Sequence, residues 1–319
     1  MPDITLFDPR STATAQILPE AGFNCHSLRI PCGGRRYELL DTEPEFGQPG
    51  SIPARSGIPL LFPFPNRIRH SHFDHRGQTW HLTQNRVDAL GNAIHGHVHN
   101  RPWRITRHES HALVAEFHLH RDAPELKGEW PADYLIEVAY QLVNQVLRCD
   151  VRIHNPDRVP LPWGFGTHTY FKIPLGPGGC TGDILIQAPV RDLWELEQNL
   201  PTGRRLPLPE DLPLPEGITL AGQRLDHVFG GLHGSAGRIE TQILDPQAGV
   251  QITQSLGTDF RELVVFTPPH GRSVCLEPYT CVTDAANLAQ RKLDTGWREL
   301  PPGASAHLWF EITLGPILC

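Results

Sequence analysis

The chain has 319 residues, 39% of them hydrophobic and 20% charged, which is typical of a soluble globular protein that buries a sizeable core. Its formal net charge of −7 argues against nucleic acid or an anionic membrane as a partner. No run of about 18 apolar residues predicts a membrane span, and the N-terminus lacks the pattern of a secretory signal. Seven scattered cysteines without a C-x-x-C pair favour free thiols, so we expect a cytoplasmic protein.

Apolar and polar residues alternate with a period of two along much of the chain, and this pattern predicts β-strands. It is found at residues 112–120, 134–143, 147–154, 238–244, 250–255, 263–267 and 308–314. Turns rich in glycine and proline separate these short segments. Half-polar strands joined by such turns favour antiparallel sheets packed as a sandwich.

Two segments depart from this pattern. Residues 201–217, PTGRRLPLPEDLPLPEG, are rich in proline, and we expect a long surface loop because strand-like patterning resumes on both sides. The clearest helix is short, residues 284–292, with Thr283 or Asp284 as its N-cap. The expected fold class is therefore all-β, a large antiparallel β-sandwich with few short helices, and residues 1–319 are expected to form one domain.

Two residues are candidates for proton transfer. Glu277 lies in SVCLEPYT, where burial at the end of a strand would raise the carboxyl pKa and make it a usable base. His168 lies in WGFGTHTYF, among glycines that allow a ligand to approach the backbone. An exposed glutamate at a strand end and a packed core histidine are the structural alternatives.

Further candidates surround these two in the sequence. His95 precedes a glycine in AIHG, and Arg67 follows Asn66 in PNRI, where its planar guanidinium suits two oxygen atoms at once. Asp226, in RLDHVF, has a carboxylate that can accept two hydroxyl hydrogens. A surface ion pair for Arg67 and a turn or cap for Asp226 are the alternatives.

The same residues are compatible with two other kinds of site, a metal site and a glycosidase acid/base pair. His95, His97 and His99 form an H-x-H-x-H run whose side chains would share one face of a strand. No cysteine or carboxylate follows at a metal-like spacing, so we expect neither a metal nor a cofactor. Glu277 with Asp226 could instead form a glycosidase acid/base pair, and the sequence cannot give their separation.

Five motifs stand in a recurring order: N-R-I; I-H-G with Pro-Trp seven and eight residues after its histidine; W-G-x-G-T-H-x-Y-F; L-D-x-x-F; and E-P-Y-T. In this order they resemble the aldose 1-epimerase (galactose mutarotase) family, and P-Y-T-C-V-T-D-A-A-N-L resembles its C-terminal signature. The resemblance extends over nearly the whole chain. It implies a galactose mutarotase-like β-sandwich with a concave, open sugar-binding face.

The resemblance also implies roles in interconverting the α and β anomers of free aldohexoses. Glu277 would be the base that deprotonates the sugar O1, and His168 the acid that protonates the ring oxygen O5. His95 would hold or polarise the ring oxygen, while Asn66, Arg67 and Asp226 would bind the sugar. A carboxylate and an imidazole on opposite sides of one pocket would suffice for this chemistry. The only partner expected is the sugar, bound by a monomer or a homodimer.

Three alternatives stay open. The family usually has H-P-Y-F, whereas Thr169 makes this motif H-T-Y-F, closer to the hexose-6-phosphate 1-epimerases. The segment SGIPLLFPFPNRIR resembles the free-sugar branch, although Arg55 and Arg69 leave a phosphate site conceivable. The other two alternatives are a non-catalytic sugar-binding protein on the same fold and a glycoside hydrolase or lyase.

Overall fold

The computed structural model describes residues 3–83 and 86–317, and antiparallel β-sheet dominates its secondary structure. The largest sheet has nine strands and contains six of the seven segments that the period-two pattern predicts. In spatial order these strands are Arg104–Glu109, Ala112–His118, Leu135–Val143, Val146–His154, Ser305–Pro316, Val250–Gly257, Arg238–Asp245, Leu185–Gln187 and Ile218–Thr219.

A second sheet of eight strands includes the seventh predicted segment and the strands of Glu277 and Asp226. Its spatial order is Leu200–Pro207, Asp192–Glu197, Asp226–Gly230, Glu262–Phe266, Ser273–Tyr279, Gly166–Thr167 and Leu60–Leu61. The remaining strand, Thr169–Lys172, also pairs with Ser273–Tyr279.

The other elements are small. A four-stranded sheet contains Ile4–Phe7, Thr14–Leu18, Asn24–Cys32 and Arg35–Glu38, and three pairs complete the strands: Leu161–Trp163 with Arg298–Leu300, Arg67–Ile68 with Ala93–Ile94, and His72–His75 with Gln78–His81. The α-helices are Leu119–Asp122 and Ala285–Gln290, and 3-10 turns occupy Pro19–Ala21, Pro53–Arg55, Arg69–Ser71, Pro124–Leu126 and Thr181–Asp183. Within residues 3–83 and 86–317, no helix has the length and apolar character needed to span a membrane.

The two large sheets contribute side chains to one apolar core. Alternate residues of Leu135–Val143, such as Ile136 and Val138, are buried there, as are Val265 and Leu276 from the eight-stranded sheet. Each fully buried aliphatic side chain contributes about 1.5–3 kcal/mol, so the alternating pattern itself stabilises the sandwich. The predicted all-β sandwich with few short helices is confirmed.

The proline-rich segment differs from its prediction. Residues 201–217 do not form one long loop, because Leu200–Pro207 is a strand paired with Asp192–Glu197. It lies at the edge of the eight-stranded sheet, where prolines are tolerated since one side of the strand needs no hydrogen-bond donors. The guanidinium of Arg205 also stacks over the ring of Trp194, 4.5 Å from its centroid, which holds the strand to its neighbour.

The predicted helix is present as Ala285–Gln290, with Asp284 at its N-terminus. Asp284 occupies the predicted N-cap position, but its side chain makes no hydrogen bond to the helix backbone. The prediction of a side-chain cap is therefore wrong. The Asp284 carboxylate instead accepts hydrogen bonds from the Arg69 backbone N–H, at 3.0 Å, and from the Asn287 amide, at 2.7 Å. The helix is thereby fixed to the segment that follows Arg67. All six cysteines in the described part of the chain are free thiols.

Candidate functional site

Strand register brings the two proton-transfer candidates together. Glu277 lies on Ser273–Tyr279 near the middle of the eight-stranded sheet and is 1% exposed. The antiparallel register that pairs Thr169 with Leu276 places His168 opposite Glu277. Because side chains alternate along a strand, these two share one face, while Leu276 points into the core between the sheets.

The two side chains are in direct contact. His168 Nε2 lies 3.3 Å from Glu277 Oε1, and the Tyr279 hydroxyl donates a short hydrogen bond to Glu277 Oε2. Burial raises the pKa of the Tyr279 hydroxyl, and nearby Asn66 opposes this rise. The expectation of a carboxylate and an imidazole on opposite sides of one pocket is therefore wrong. They are neighbours on one wall, because residues paired across adjacent strands have closely spaced side chains.

Burial dominates the electrostatics of this pair. It raises the pKa of Glu277 well above the ordinary carboxyl value, and nearby Asp226 raises it further; the Tyr279 hydrogen bond and the charge of Arg67 lower it. Burial also lowers the pKa of His168 to about 3. Both shifts oppose net charge, so the pair favours holding a single proton between its two members.

His95 approaches the same pair from an irregular segment. Its ring meets that of His168 edge-on, with 5.4 Å between centroids, and its backbone N–H donates to the Asn66 carbonyl at 2.7 Å. Burial lowers the pKa of His95 well below its ordinary value. The backbone of His95 is left-handed, with φ of +68°, which costs about 1–2 kcal/mol and is typical of functional segments.

Gly96 makes this approach possible. It has φ of +70°, and a Cβ there would lie 2.2 Å from the Phe62 carbonyl oxygen. The next residue, His97, donates its backbone N–H to that same carbonyl at 2.7 Å. The segment is thus pressed against Phe62, and this contact fixes where His95 stands.

The H-x-H-x-H run does not form the strand that would put its three side chains on one face. The strand Ala93–Ile94 ends before His95, and the left-handed residues break the alternation of side chains. His97 packs in the core, with its Nδ1 3.0 Å from the Tyr134 hydroxyl, whereas the His99 ring lies 5.9 Å from that of His95. The three imidazoles therefore do not share one face.

The predicted sugar-binding residues lie around the pair. Arg67 Nε donates to Asp88 Oδ2 and Arg67 Nη1 to Asn66 Oδ1, each at 2.8 Å, so the guanidinium is held in place. Asp226 opens its strand opposite Phe266. The residue is exposed, yet the packing around its carboxyl raises the pKa of Asp226, while Arg67 lowers it.

A cavity of about 290 Å³ lies beside two aromatic residues, Tyr170 and Phe266, that contact the His168 ring. Tyr170 stacks on the His168 ring at 4.7 Å between centroids, and Phe266 meets the same ring edge-on at 6.1 Å. The cavity is lined by Glu43, Arg55, Tyr170, Phe266, Pro268, Pro269 and His270. A larger cavity of about 460 Å³ borders His99. Neither Glu277 nor His168 lines either cavity.

The two arginines considered for a phosphate have different surroundings. Arg69 Nε lies 3.4 Å from Asp284 Oδ2, so its charge is matched by a buried carboxylate. Arg55 lines the 290 Å³ cavity. Of these two arginines, only Arg55 is placed to meet a ligand beside Tyr170.

Two residues of the site were not identified from the sequence. Tyr279 stands two residues after Glu277 on a strand, so the motif E-P-Y already placed its hydroxyl on the same face. Asp88 fixes Arg67 from an irregular loop 21 residues away, and no local pattern marks it. The assembled site offers a carboxyl and an imidazole in contact, which can add and remove protons on a bound ligand.

Comparison with known proteins bears on this arrangement. A sequence model of the aldose 1-epimerase family matches residues 53–313. Uncharacterized protein YihR of Escherichia coli K12 is 24% identical over 245 residues, 75% of this chain and 75% of that protein. A galactose mutarotase-like protein from Clostridium acetobutylicum has a TM-score of 0.84 at 21% identity, covering 96% of this chain and 93% of that one. The GalM/aldose epimerase homologue from C. elegans has a TM-score of 0.82 at 15% identity, covering 99% of both chains.

Proposed function

Because the chain belongs to the aldose 1-epimerase family, we propose that it interconverts the α and β anomers of free aldohexoses. The observation that carries this proposal is the contact of 3.3 Å between His168 Nε2 and Glu277 Oε1. The hemiacetal oxygen O1 and the ring oxygen O5 are bonded to the same carbon. An acid and a base that serve both oxygens must therefore each come within hydrogen-bond distance of the same anomeric centre, and two groups on one wall can do so.

The proposed reaction combines two proton transfers with reversible opening of the sugar ring. Glu277 takes the proton from O1 while His168 gives a proton to O5, and the C1–O5 bond breaks to form the aldehyde. Rotation about C1–C2 presents the other carbonyl face, and the two groups then act in reverse. The reaction needs neither a redox cofactor nor a metal, and its reactive form is the pair with one shared proton.

The surrounding residues are assigned binding and positioning roles. Tyr279 orients the Glu277 carboxylate by donating to Oε2, and Oε1, the oxygen beside His168 Nε2, takes the proton from the sugar. His95 stands edge-on to His168 and is placed to polarise the ring oxygen. Arg67, fixed by Asn66 and Asp88, contacts sugar hydroxyls, and Asp226 accepts hydroxyl hydrogens from the far side of the site.

Polarimetry tests this function. Freshly dissolved α-D-glucose and α-D-galactose are followed with the full chain, and the spontaneous rate is subtracted. We expect acceleration by the native protein and its loss in Glu277→Gln, which keeps the shape of the side chain but cannot act as a base. Equal acceleration by both proteins would contradict the mechanism. Binding of sugar by both, without acceleration by either, would favour the non-catalytic sugar-binding alternative.

Arg55 favours a second candidate, a hexose-6-phosphate 1-epimerase. Its guanidinium lines the cavity next to Tyr170, where it can bind a phosphate attached to the sugar. Under this alternative, glucose 6-phosphate is converted faster than glucose, and Arg55→Ala reduces only the phosphate-dependent part. If the native protein prefers the free sugar and Arg55→Ala leaves both rates unchanged, this candidate is wrong.

A further inference from the structure

A thiol that the proposed reaction does not use lies beside the catalytic pair. Cys275 stands two residues before Glu277 on Ser273–Tyr279, so both side chains lie on the same face of the sheet. Across the sheet, Cys275 pairs with Tyr170, the residue that stacks on His168. Strand geometry thus groups a thiol, an imidazole and a carboxyl, and all three residues are buried.

The spacing of these groups is close to that of a metal site. One ligand atom each from His168, Cys275 and Glu277 lies within 4.8 Å of the others, and His168 Nε2 is 3.3 Å from Glu277 Oε1. In a tetrahedral zinc site, bonds of about 2.0–2.3 Å put neighbouring ligand atoms about 3.3–3.8 Å apart. A shift of about 1 Å in side-chain position therefore suffices to close the set around an ion.

The environment of the three groups also suits a cation. His168 Nδ1 is buried without a hydrogen-bond partner in the described structure, so no second hydrogen bond holds Nε2 in its contact with Glu277. Glu277 is oriented by the Tyr279 hydroxyl, as metal-binding carboxylates commonly are by an outer hydrogen bond. A thiolate, an imidazole and a carboxylate together select a soft or borderline divalent ion such as Zn²⁺ over Mg²⁺.

We propose that His168, Cys275 and Glu277 form an inhibitory Zn²⁺ site. Three protein ligands leave the fourth position of the ion for a water molecule. The ion displaces two protons to solvent, the thiol proton of Cys275 and the proton shared by His168 and Glu277, and it occupies both members of the proton-transfer pair. Bound zinc and anomer interconversion therefore exclude each other. The inhibitory effect rests on the proposed function, whereas the binding of the ion does not.

The experiment uses the full chain after treatment with a chelator. Mutarotation is measured as Zn²⁺ is added, with Mg²⁺ as the control ion, for the native protein, Cys275→Ala and Cys281→Ala. Cys281 is a matched control because it is equally buried and lies just beyond the same strand, outside the three-residue group. Co²⁺ is added in parallel, since its thiolate complexes have a charge-transfer absorption band that reports cysteine ligation without any activity.

We expect Zn²⁺ to inhibit the native protein and Cys281→Ala reversibly, and Cys275→Ala to need about 10–100 times more zinc. The Co²⁺ band is expected in the native protein and absent in Cys275→Ala. Equal zinc sensitivity in all three proteins, activation by zinc, or a native protein without the Co²⁺ band would each overturn the proposal. A protein without mutarotase activity that still gives a Cys275-dependent Co²⁺ band would contradict the proposed function and leave the metal site supported.

Discussion

Two buried glutamates on neighbouring strands of the same sheet have different surroundings. Glu262 is fully buried, accepts a hydrogen bond from the Trp194 indole at 2.9 Å, and lies 3.1 Å from Arg205 Nη2. Glu277 is almost as buried, but its partners are the Tyr279 hydroxyl and the imidazole of His168. Glu262 therefore contacts a cation, Arg205, whereas Glu277 contacts an imidazole, a group that can exchange protons.

The pKa shifts show what this difference means. Burial raises the pKa of Glu262 to about 7, against the opposing effect of Arg205, and raises the pKa of Glu277 well above its ordinary value. Desolvation alone therefore does not distinguish a reactive carboxyl from a structural one. The partner does, because an arginine fixes the carboxylate, whereas an imidazole can take its proton.

The sharpest test of this comparison replaces each carboxyl by an amide. Glu277→Gln is expected to lower kcat for mutarotation about 10²–10⁴-fold with sugar affinity nearly unchanged, because only the base is lost. Glu262→Gln is expected to leave kcat within about twofold. Polarimetry and calorimetric titration with sugar measure both. A large loss of kcat in both variants would mean that the two carboxyls are not functionally distinct.

The structural role of Glu262 is tested through its cation. Arg205→Ala removes a hydrogen bond to a charged group and the stacking of the guanidinium on Trp194. We expect the free energy of unfolding to fall by about 1.5–3 kcal/mol, with kcat retained. Urea unfolding followed by tryptophan fluorescence gives the stability. A loss of kcat without a loss of stability would reverse the assignment.

The pH dependence of stability gives a second test of the role of Glu262. The pKa of Glu262 is raised in the folded chain, so its neutral form is favoured, and its contribution to stability is fully present below about pH 4.5 and lost as pH rises towards 7. The stability of the native protein minus that of Glu262→Gln should fall by about 3 kcal/mol over this interval. Unfolding curves from pH 4.5 to 7.5 measure it, and a difference that rises with pH would contradict the assignment.

The smallest effect is expected at the hydrogen bond that orients Glu277. Tyr279→Phe removes a donor that lowers the pKa of this carboxyl, so that pKa should rise further. We expect kcat to fall about fivefold, from a hydrogen bond worth about 1 kcal/mol, and the alkaline limb of the pH–rate profile to move to higher pH. An unchanged profile would show that Tyr279 only fills space.

Local pattern was sufficient for much of the fold. Alternation in segments such as 134–143 and 147–154 predicted strands whose bounds differ from the observed ones by one residue, because burial on one face repeats every second residue. The proline-rich segment was predicted wrongly, because this edge strand lacks a regular alternation of apolar and polar residues in its sequence. Leu200–Pro207 forms because Asp192–Glu197 lies beside it, and this is information from outside the segment.

The site was predictable by residue type but not by geometry. Burial of Glu277 followed from its strand, and Tyr279 was within reach of the same argument. The contact between His168 and Glu277 depends on a register between strands 109 positions apart, which single-sequence reasoning does not give. The ion pair of Arg67 with Asp88 and the left-handed backbone of His95 depend likewise on tertiary packing.

The close approach at Gly96 sets a limit for anyone who wishes to redesign the specificity of this protein. Any side chain at that position would meet the Phe62 carbonyl and push His95 away from the pair. A combinatorial library that varies position 96 would therefore lose function before it sampled new ligands. Diversity is better introduced in the lining of the cavity, at Pro269 and His270, which the proposed proton transfer leaves free to change.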